Sequence, residues 1–293
     1  MSVFRPKATA LITGGSSGIG YAVAELCLEN EMHVAIVDIN DETLAFAAKE
    51  LGRKGKGQVT GFKADVSKAS EWKSLREKVD NWAKGEIDFL MLNAAIGTKG
   101  TWGDEDYFEK VLSTNLFGAL HGLNTYVPSF LSRPSTALPS TIVITGSKQG
   151  ITNPPGNAAY NASKSAVKTL AEHLAFDLRD TQTSVHLLVP GWTFTGLSGN
   201  LPNATTPIPK PTGAWHSSQV ASYMHQKIQD GKFYIICPDE DVSEETDKKR
   251  MLWSVGDVVD GRPPLTRWRP EWKERAEEWM GEVDAGAFAV RRE

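Results

Sequence analysis

Two cysteines, Cys27 and Cys237, are all that 293 residues contain. So few thiols exclude a disulfide framework and a zinc site built on cysteine. Long apolar runs are missing as well, and no segment reads as a membrane span. There is no long basic run, and the formal net charge is −4, so a nucleic-acid partner is not expected. Between Met1 and Lys7 there is no apolar signal core and no cleavage pattern, and the expected location is cytoplasmic. What is present is 40% hydrophobic and 23% charged, which suits one large α/β core.

The first two-thirds alternate short β-like runs with helical patterns. Strands are expected at Thr9 to Ile12, His33 to Val37, Val59 to Lys63, Ile87 to Leu92, Thr141 to Thr145 and Val185 to Val189. Most are continuous apolar runs, which implies burial on both faces. Helical spacing appears over Ile19 to Asn30, from Asp41 (a capping residue) to about Leu51, over Ser70 to Trp82, Phe108 to Tyr126 and Ala158 to Arg179. This succession predicts a single-domain, Rossmann-type, doubly wound parallel sheet with helices on both faces. After Pro190 the pattern changes. A Gly-, Pro-, Thr- and Asn-rich stretch follows, then a helical run over Val220 to Gln229 and a seventh strand at Phe233 to Cys237. The stretch is too long for an ordinary connection, and residues from about 195 to 230 are expected to form a lid. From Pro238 onward the chain is charged and Trp-rich, a C-terminal extension to the single domain spanning 1–293.

Chemistry concentrates in three places. Thr13-Gly14-Gly15-Ser16-Ser17-Gly18-Ile19-Gly20 lies between the first strand and the first helix. Glycines there let backbone approach a pyrophosphate, and the helix start favours its charge. Asp38 ends the second strand, where a carboxylate accepts hydrogen bonds from both ribose hydroxyls and repels a 2′-phosphate. No Arg or Lys lies at Ser16-Ser17 or Ile39-Asn40 to offset that repulsion, so NAD is expected in preference to NADP. In Tyr160-Asn161-Ala162-Ser163-Lys164, the tyrosine and the lysine share one helix face, a turn apart. An ammonium near a phenol lowers its pKa and favours proton exchange with an alcohol or carbonyl.

Taken in order, these motifs resemble the classical short-chain dehydrogenases/reductases, from about residue 6 to at least residue 195. The glycine turn falls on Gly14, Gly18 and Gly20, and the family's adenine-contacting Asp on Asp65, followed by Val66. Leu92-Asn93-Ala94-Ala95 stands where the family usually reads Asn-Asn-Ala-Gly, so Asn93 and Ala94 match and the flanks do not. Pro190-Gly191-Trp192-Thr193-Phe194-Thr195 is similar to the segment that holds the nicotinamide carboxamide, with Thr193 in place of an aliphatic residue. The resemblance implies an NAD-dependent oxidoreductase acting on a secondary alcohol or ketone. Tyr160 would be its general acid/base, Ser147 the hydrogen-bond donor to the developing oxyanion, and Lys164 the ribose ligand. Asn115 would hold a helix distortion and a water on the proton path. It also implies a homodimer or homotetramer. Two rivals remain: epimerisation, dehydration or imine reduction on the same scaffold, and a non-catalytic cofactor-binding partner protein.

Other residues invite roles. Trp192, Phe194 and Trp215 flank the expected site and either wall the substrate or pack the loop. Lys148, beside Ser147, is expected to be a solvated lysine. His216 and His225 do not have the spacing of a metal site, and no metal is expected. His121 and His173 read as packing residues. Trp253, Trp268, Trp272 and Trp279 are expected to fasten the C-terminal extension to the body or to a second subunit.

Overall fold

The apolar runs become strands because each is sandwiched between helices. A computed structural model of the chain describes residues 2–198, 200 and 208–288. Residues 199 and 201–207 of the expected lid, and 289–293 of the extension, lie outside the described residues. In chain order the strands are β1 (Thr9–Thr13), β2 (His33–Asp38), β3 (Val59–Lys63), β4 (Phe89–Leu92), β5 (Ser140–Thr145), β6 (Thr183–Val189), β7 (Thr193–Phe194), β8 (Trp215–His216) and β9 (Tyr234–Ile236). The helices are α1 (Gly18–Glu29), α2 (Asp41–Lys54), α3 (Ala69–Ala83), α4 (Glu105–Leu112), α5 (Gly118–Leu131), α6 (Gln149–Thr152), α7 (Ala158–Asp177), α8 (Ser217–Gln229), α9 (Glu244–Val259) and α10 (Lys273–Glu282).

Seven strands form one parallel sheet in the order β3-β2-β1-β4-β5-β6-β9. Side chains alternate along each strand between two cores. Ala10, Ile12, Val34 and Ile36 pack with Val23, Leu28 and Met224 of α1 and α8, whereas Leu11, Ala35 and Val37 point towards the core with Trp72, Tyr126 and Val167 of α3, α5 and α7. Filling both faces makes the fold a single-domain, doubly wound α/β sheet. The strand order reverses between β1 and β4, which opens a crevice at their carboxyl ends.

Three elements differ from the sequence expectation. Asn40, not Asp41, caps α2, its Oδ1 accepting the Thr43 N–H at 3.0 Å. Asp41 instead opens the helix, where its charge suits the dipole. The single helix expected over Phe108 to Tyr126 is α4 and α5 joined by a π-helical turn at Ser113–Phe117. The extension from Pro238 contains α9 and α10, which the sequence reading did not assign. The buried positions of α9 are Asp247, Trp253 and Asp257, and two acids among them erase the apolar periodicity. Trp253 and Trp279 meet edge to face at 5.5 Å and join the two helices. Among the described residues no helix is long and apolar enough to cross a membrane.

Candidate active site

The glycine turn is held from below. Thr13 Oγ1 accepts the N–H groups of Asn93 and Ala94 at 2.9 and 3.1 Å, and Asn93 donates from Nδ2 to the Thr13 carbonyl at 3.1 Å. Gly14 has φ +63°, and a Cβ there would sit 2.9 Å from the Ala94 Cα, so the turn needs glycine. Gly20 faces the Gly14 carbonyl so closely that no side chain fits between them. The start of α1 carries neither a capping side chain nor an acid, which leaves its N–H groups open to the crevice.

Asp38 is oriented before anything binds it. The Ser16 hydroxyl and N–H donate to its Oδ2 at 2.5 and 3.2 Å, and the Ile39 N–H donates to Oδ1 at 2.8 Å. Asp65 accepts two hydrogen bonds from Ser67 at 2.6 and 3.1 Å. Burial raises its carboxyl pKa, but the Ser67 bonds and the Lys68 charge outweigh that and hold it below the usual carboxylate value.

At the other end of the crevice, β5 delivers Ser147 and α7 delivers Tyr160 and Lys164. Ser147 and Tyr160 both line the crevice. The Lys164 ammonium donates to the Thr145 carbonyl at 2.8 Å and lies 5.7 Å from the centre of the Tyr160 ring. Burial raises the Tyr160 pKa, and the neighbouring Ser147 side chain pulls it part of the way back. The lowering expected from Lys164 is therefore not what the structure shows. Burial brings Lys164 itself down to about 8. Asn115, on the π turn, accepts the Ile96 N–H at 2.8 Å and donates to the Ile96 carbonyl at 3.0 Å and to Ser163 Oγ at 3.2 Å. It ties the loop after β4 to α7.

These groups border one cleft of about 760 Å³. Of the residues singled out from sequence, Gly14, Ser17, Gly18, Ile19, Asp38, Asp65, Val66, Asn93, Ala94, Ser147, Tyr160, Lys164, Pro190, Gly191, Trp192, Thr193 and Thr195 line it. Ser16, Gly20 and Asn115 stand behind the wall and support it. Phe194 and Trp215 do not line the cleft. Phe194 is buried, and Trp215 packs edge-on against Tyr223 of α8 at 5.8 Å. The short β7–β8 ladder pairs Thr193 with Trp215 and Phe194 with His216. Trp192, 51% exposed, is the aromatic that remains at the mouth.

Lys148 corrects a further expectation. It is not a solvated lysine, because its ammonium lies between Asp239, at 3.1 Å, and Asp247. Sequence reasoning also missed Thr13, Thr145, Gln149 and Asn157. The first two act through hydrogen bonds that follow only from strand adjacency, and the last two lie beside the Ser147 and Tyr160 motifs. His225 stacks edge-on against Phe4 at 4.5 Å, and no group of three metal-ligating side chains occurs among the described residues.

The sheet, its switch-point crevice and the Ser147–Tyr160–Lys164 cluster define a class, and the sequence places the chain within it. Residues 8–205 match the short chain dehydrogenase family, and the chain belongs to that family. It is 31% identical over 192 residues to 3beta-hydroxysteroid dehydrogenase 2 of Eggerthella lenta, across 64% of this chain and 72% of that protein. It is 25% identical over 293 residues to the CLA biosynthesis dehydrogenase/reductase of Lactiplantibacillus plantarum, across 90% of this chain and 98% of the relative. A short chain dehydrogenase/reductase from Burkholderia phymatum, solved in complex with NAD, superposes with a TM-score of 0.77 at 26% identity, covering 90% of this chain and 98% of that one.

Proposed function

We propose that the protein is an NAD(H)-dependent oxidoreductase that interconverts a secondary alcohol and a ketone. The observation that carries this reading is that Ser147, Tyr160 and the buried Lys164 line the same cleft as the glycine turn.

The chain's residues fit a dinucleotide. The uncapped start of α1 and the turn at Gly14, whose backbone packs against Ala94 too closely for a Cβ, form a cradle for a pyrophosphate. Asp38 would hold the adenosine ribose, Asp65 and Val66 the adenine, and the segment from Pro190 to Thr195 the nicotinamide end. A carboxylate already fixed by Ser16 would repel a 2′-phosphate, which favours NAD over NADP. When bound, the cofactor takes up or returns the hydride of the reacting carbon.

The protein's part is proton transfer and orientation. In oxidation, Tyr160 removes the proton of the substrate hydroxyl; in reduction it returns that proton to the carbonyl oxygen. Ser147 donates a hydrogen bond to the same oxygen as its charge develops. Lys164 supplies the positive charge next to the phenol and would bind the nicotinamide ribose. A cavity of about 10 Å³ bordered by Asn115, Thr145 and Lys164 has the size of one water, which supports a proton path through Asn115. Trp192 and Leu197 at the cleft mouth support a mid-sized, partly apolar substrate, aromatic or alicyclic. The hydroxysteroid specificity in the name of the Eggerthella lenta relative points the same way.

The test is an NADH-absorbance assay over cyclic and aryl secondary alcohols and their ketones, with NAD and NADP compared. We expect turnover with NAD and a loss of about 10²–10⁴-fold in kcat for Tyr160→Phe, with NADH affinity retained. Product formed without any change in NADH would replace this reading with a non-redox one. Full activity in Tyr160→Phe would remove the tyrosine from the chemistry.

A further inference from the structure

The cluster around Lys148 links the catalytic serine to the C-terminal segment. Lys148 follows Ser147 directly, on the short link between β5 and α6. Its ammonium lies between two carboxylates, Asp239 in the loop after β9 and Asp247 in the first turn of α9. The side chains are 12%, 10% and 2% exposed respectively, so water screens them little. Arg250 stands 3.7 Å from the second oxygen of Asp247 and balances the remaining charge.

The same cluster reaches the opposite wall. Asp239 Oδ2 also accepts the Trp192 N–H at 3.3 Å. A Cβ on Gly191 would lie 2.5 Å from both that oxygen and the Lys148 ammonium, so a glycine is required for the three to meet. One carboxylate thus joins the Ser147 wall to the Gly191–Trp192 wall, and both border the cleft. Ser147 sits on the same short link as Lys148, where its Oγ accepts the Gln149 N–H at 3.2 Å.

We propose that Asp239 and Asp247 are positioning residues which, acting through Lys148, hold Ser147 and the Trp192 wall at the spacing the reaction needs. The proposal rests on the catalytic reading of Ser147 given above. It makes the segment beyond Pro238 part of the active-site frame. It also removes Lys148 as an anchor for an anionic substrate, because both carboxylates already hold its charge. A buried pair of this kind contributes little net stability but fixes geometry, and removing one partner leaves a charge stranded. Misplacing a catalytic group by an ångström costs on the order of 10²-fold in rate.

Two variants separate positioning from stability. Asp247→Asn keeps the shape and leaves Asp239 to hold the buried Lys148 charge without the second carboxylate. Lys148→Met combined with Asp239→Asn and Asp247→Asn removes all three charges together. The measurements are kcat and KM on the best alcohol from the panel, Tm, and backbone amide exchange over residues 147–152 and 190–193.

For Asp247→Asn we expect kcat to fall about tenfold or more, KM for NAD to stay within about twofold, and exchange in both segments to speed up about tenfold. For the triple variant we expect Tm to return to near the wild-type value while kcat stays low. Wild-type kcat in the triple variant would overturn the proposal. So would a loss of Tm in Asp247→Asn with unchanged kcat and unchanged local exchange. If the unaltered protein turns over no alcohol or ketone, the catalytic reading fails, and the exchange measurement alone then decides whether the clamp holds the two walls.

Discussion

Lys164 is a charged group in a place that water does not reach. Burial brings its ammonium from 10.5 to about 8, a difference of ~3 kcal/mol between its charged and neutral forms. Between those two pH values the unfolded chain holds a proton that the folded chain has released. Stability contributed by this group therefore rises as pH climbs from about 8 towards 10.5, and below about 8 the buried charge opposes folding. Lys164→Met is expected to stabilise the protein at pH 7 by about 1–3 kcal/mol, with the gain shrinking towards pH 10, while kcat falls at least about 10²-fold. Thermal melts across pH and steady-state rates check the two halves; a destabilised variant at neutral pH would contradict the first. The pairing of Tyr160 with Lys164 was legible because a four-residue spacing on one helix is a local property. The direction of the tyrosine's pKa was not, because it depends on burial by segments distant in the chain.

At the level of elements, the break between α4 and α5 carries a function that apolar spacing alone does not reveal. The π turn at Ser113–Phe117 brings Asn115 inward, where it makes both hydrogen bonds to Ile96 and one to Ser163. Asn115→Ala removes three hydrogen bonds, the one to Ser163 fully buried, and leaves the Ile96 N–H and carbonyl without that partner. The expected cost is about 2–4 kcal/mol in urea unfolding, with a lower kcat as the loop after β4 loosens. Stability within about 0.5 kcal/mol of wild type would show that the turn holds its shape without the asparagine. Helix α9 shows a related limit: its buried face is built from Asp247, Trp253 and Asp257, whose partners Lys148 and Thr266 come within reach only after folding.

For the molecule as a whole, the segment beyond Pro238 is fastened to the body by the Lys148 cluster and by Glu244, which accepts the Tyr223 hydroxyl and pairs with Lys227 of α8. Within the segment the centre is Trp253, 2% exposed, which donates from Nε1 to Thr266 Oγ1 at 2.9 Å and carries Arg262 stacked 4.0 Å from its ring. Trp253→Ala is expected to cost about 3–5 kcal/mol in urea unfolding, through the cavity and the lost hydrogen bond. The loss should appear first in amide exchange over α9 and α10, before the central sheet opens. An unchanged unfolding midpoint would mean that the tryptophan is not what joins these helices. Among the tryptophans of this segment, Trp268 is 40% exposed and fastens less.

The sequence by itself determined the parallel sheet, the glycine turn, the position of Asp38 and the Ser147–Tyr160–Lys164 order. Each of these is written in contiguous residues: an apolar run, a strand–turn–helix junction, or a spacing of one helical turn. Only the tertiary structure decided which aromatics face the cleft, where the protonation equilibria lie, and that Lys148 serves the C-terminal segment. Those outcomes depend on desolvation and on contacts between residues distant in the chain, 91 positions apart in the Lys148–Asp239 pair, and such contacts leave no local periodicity to read.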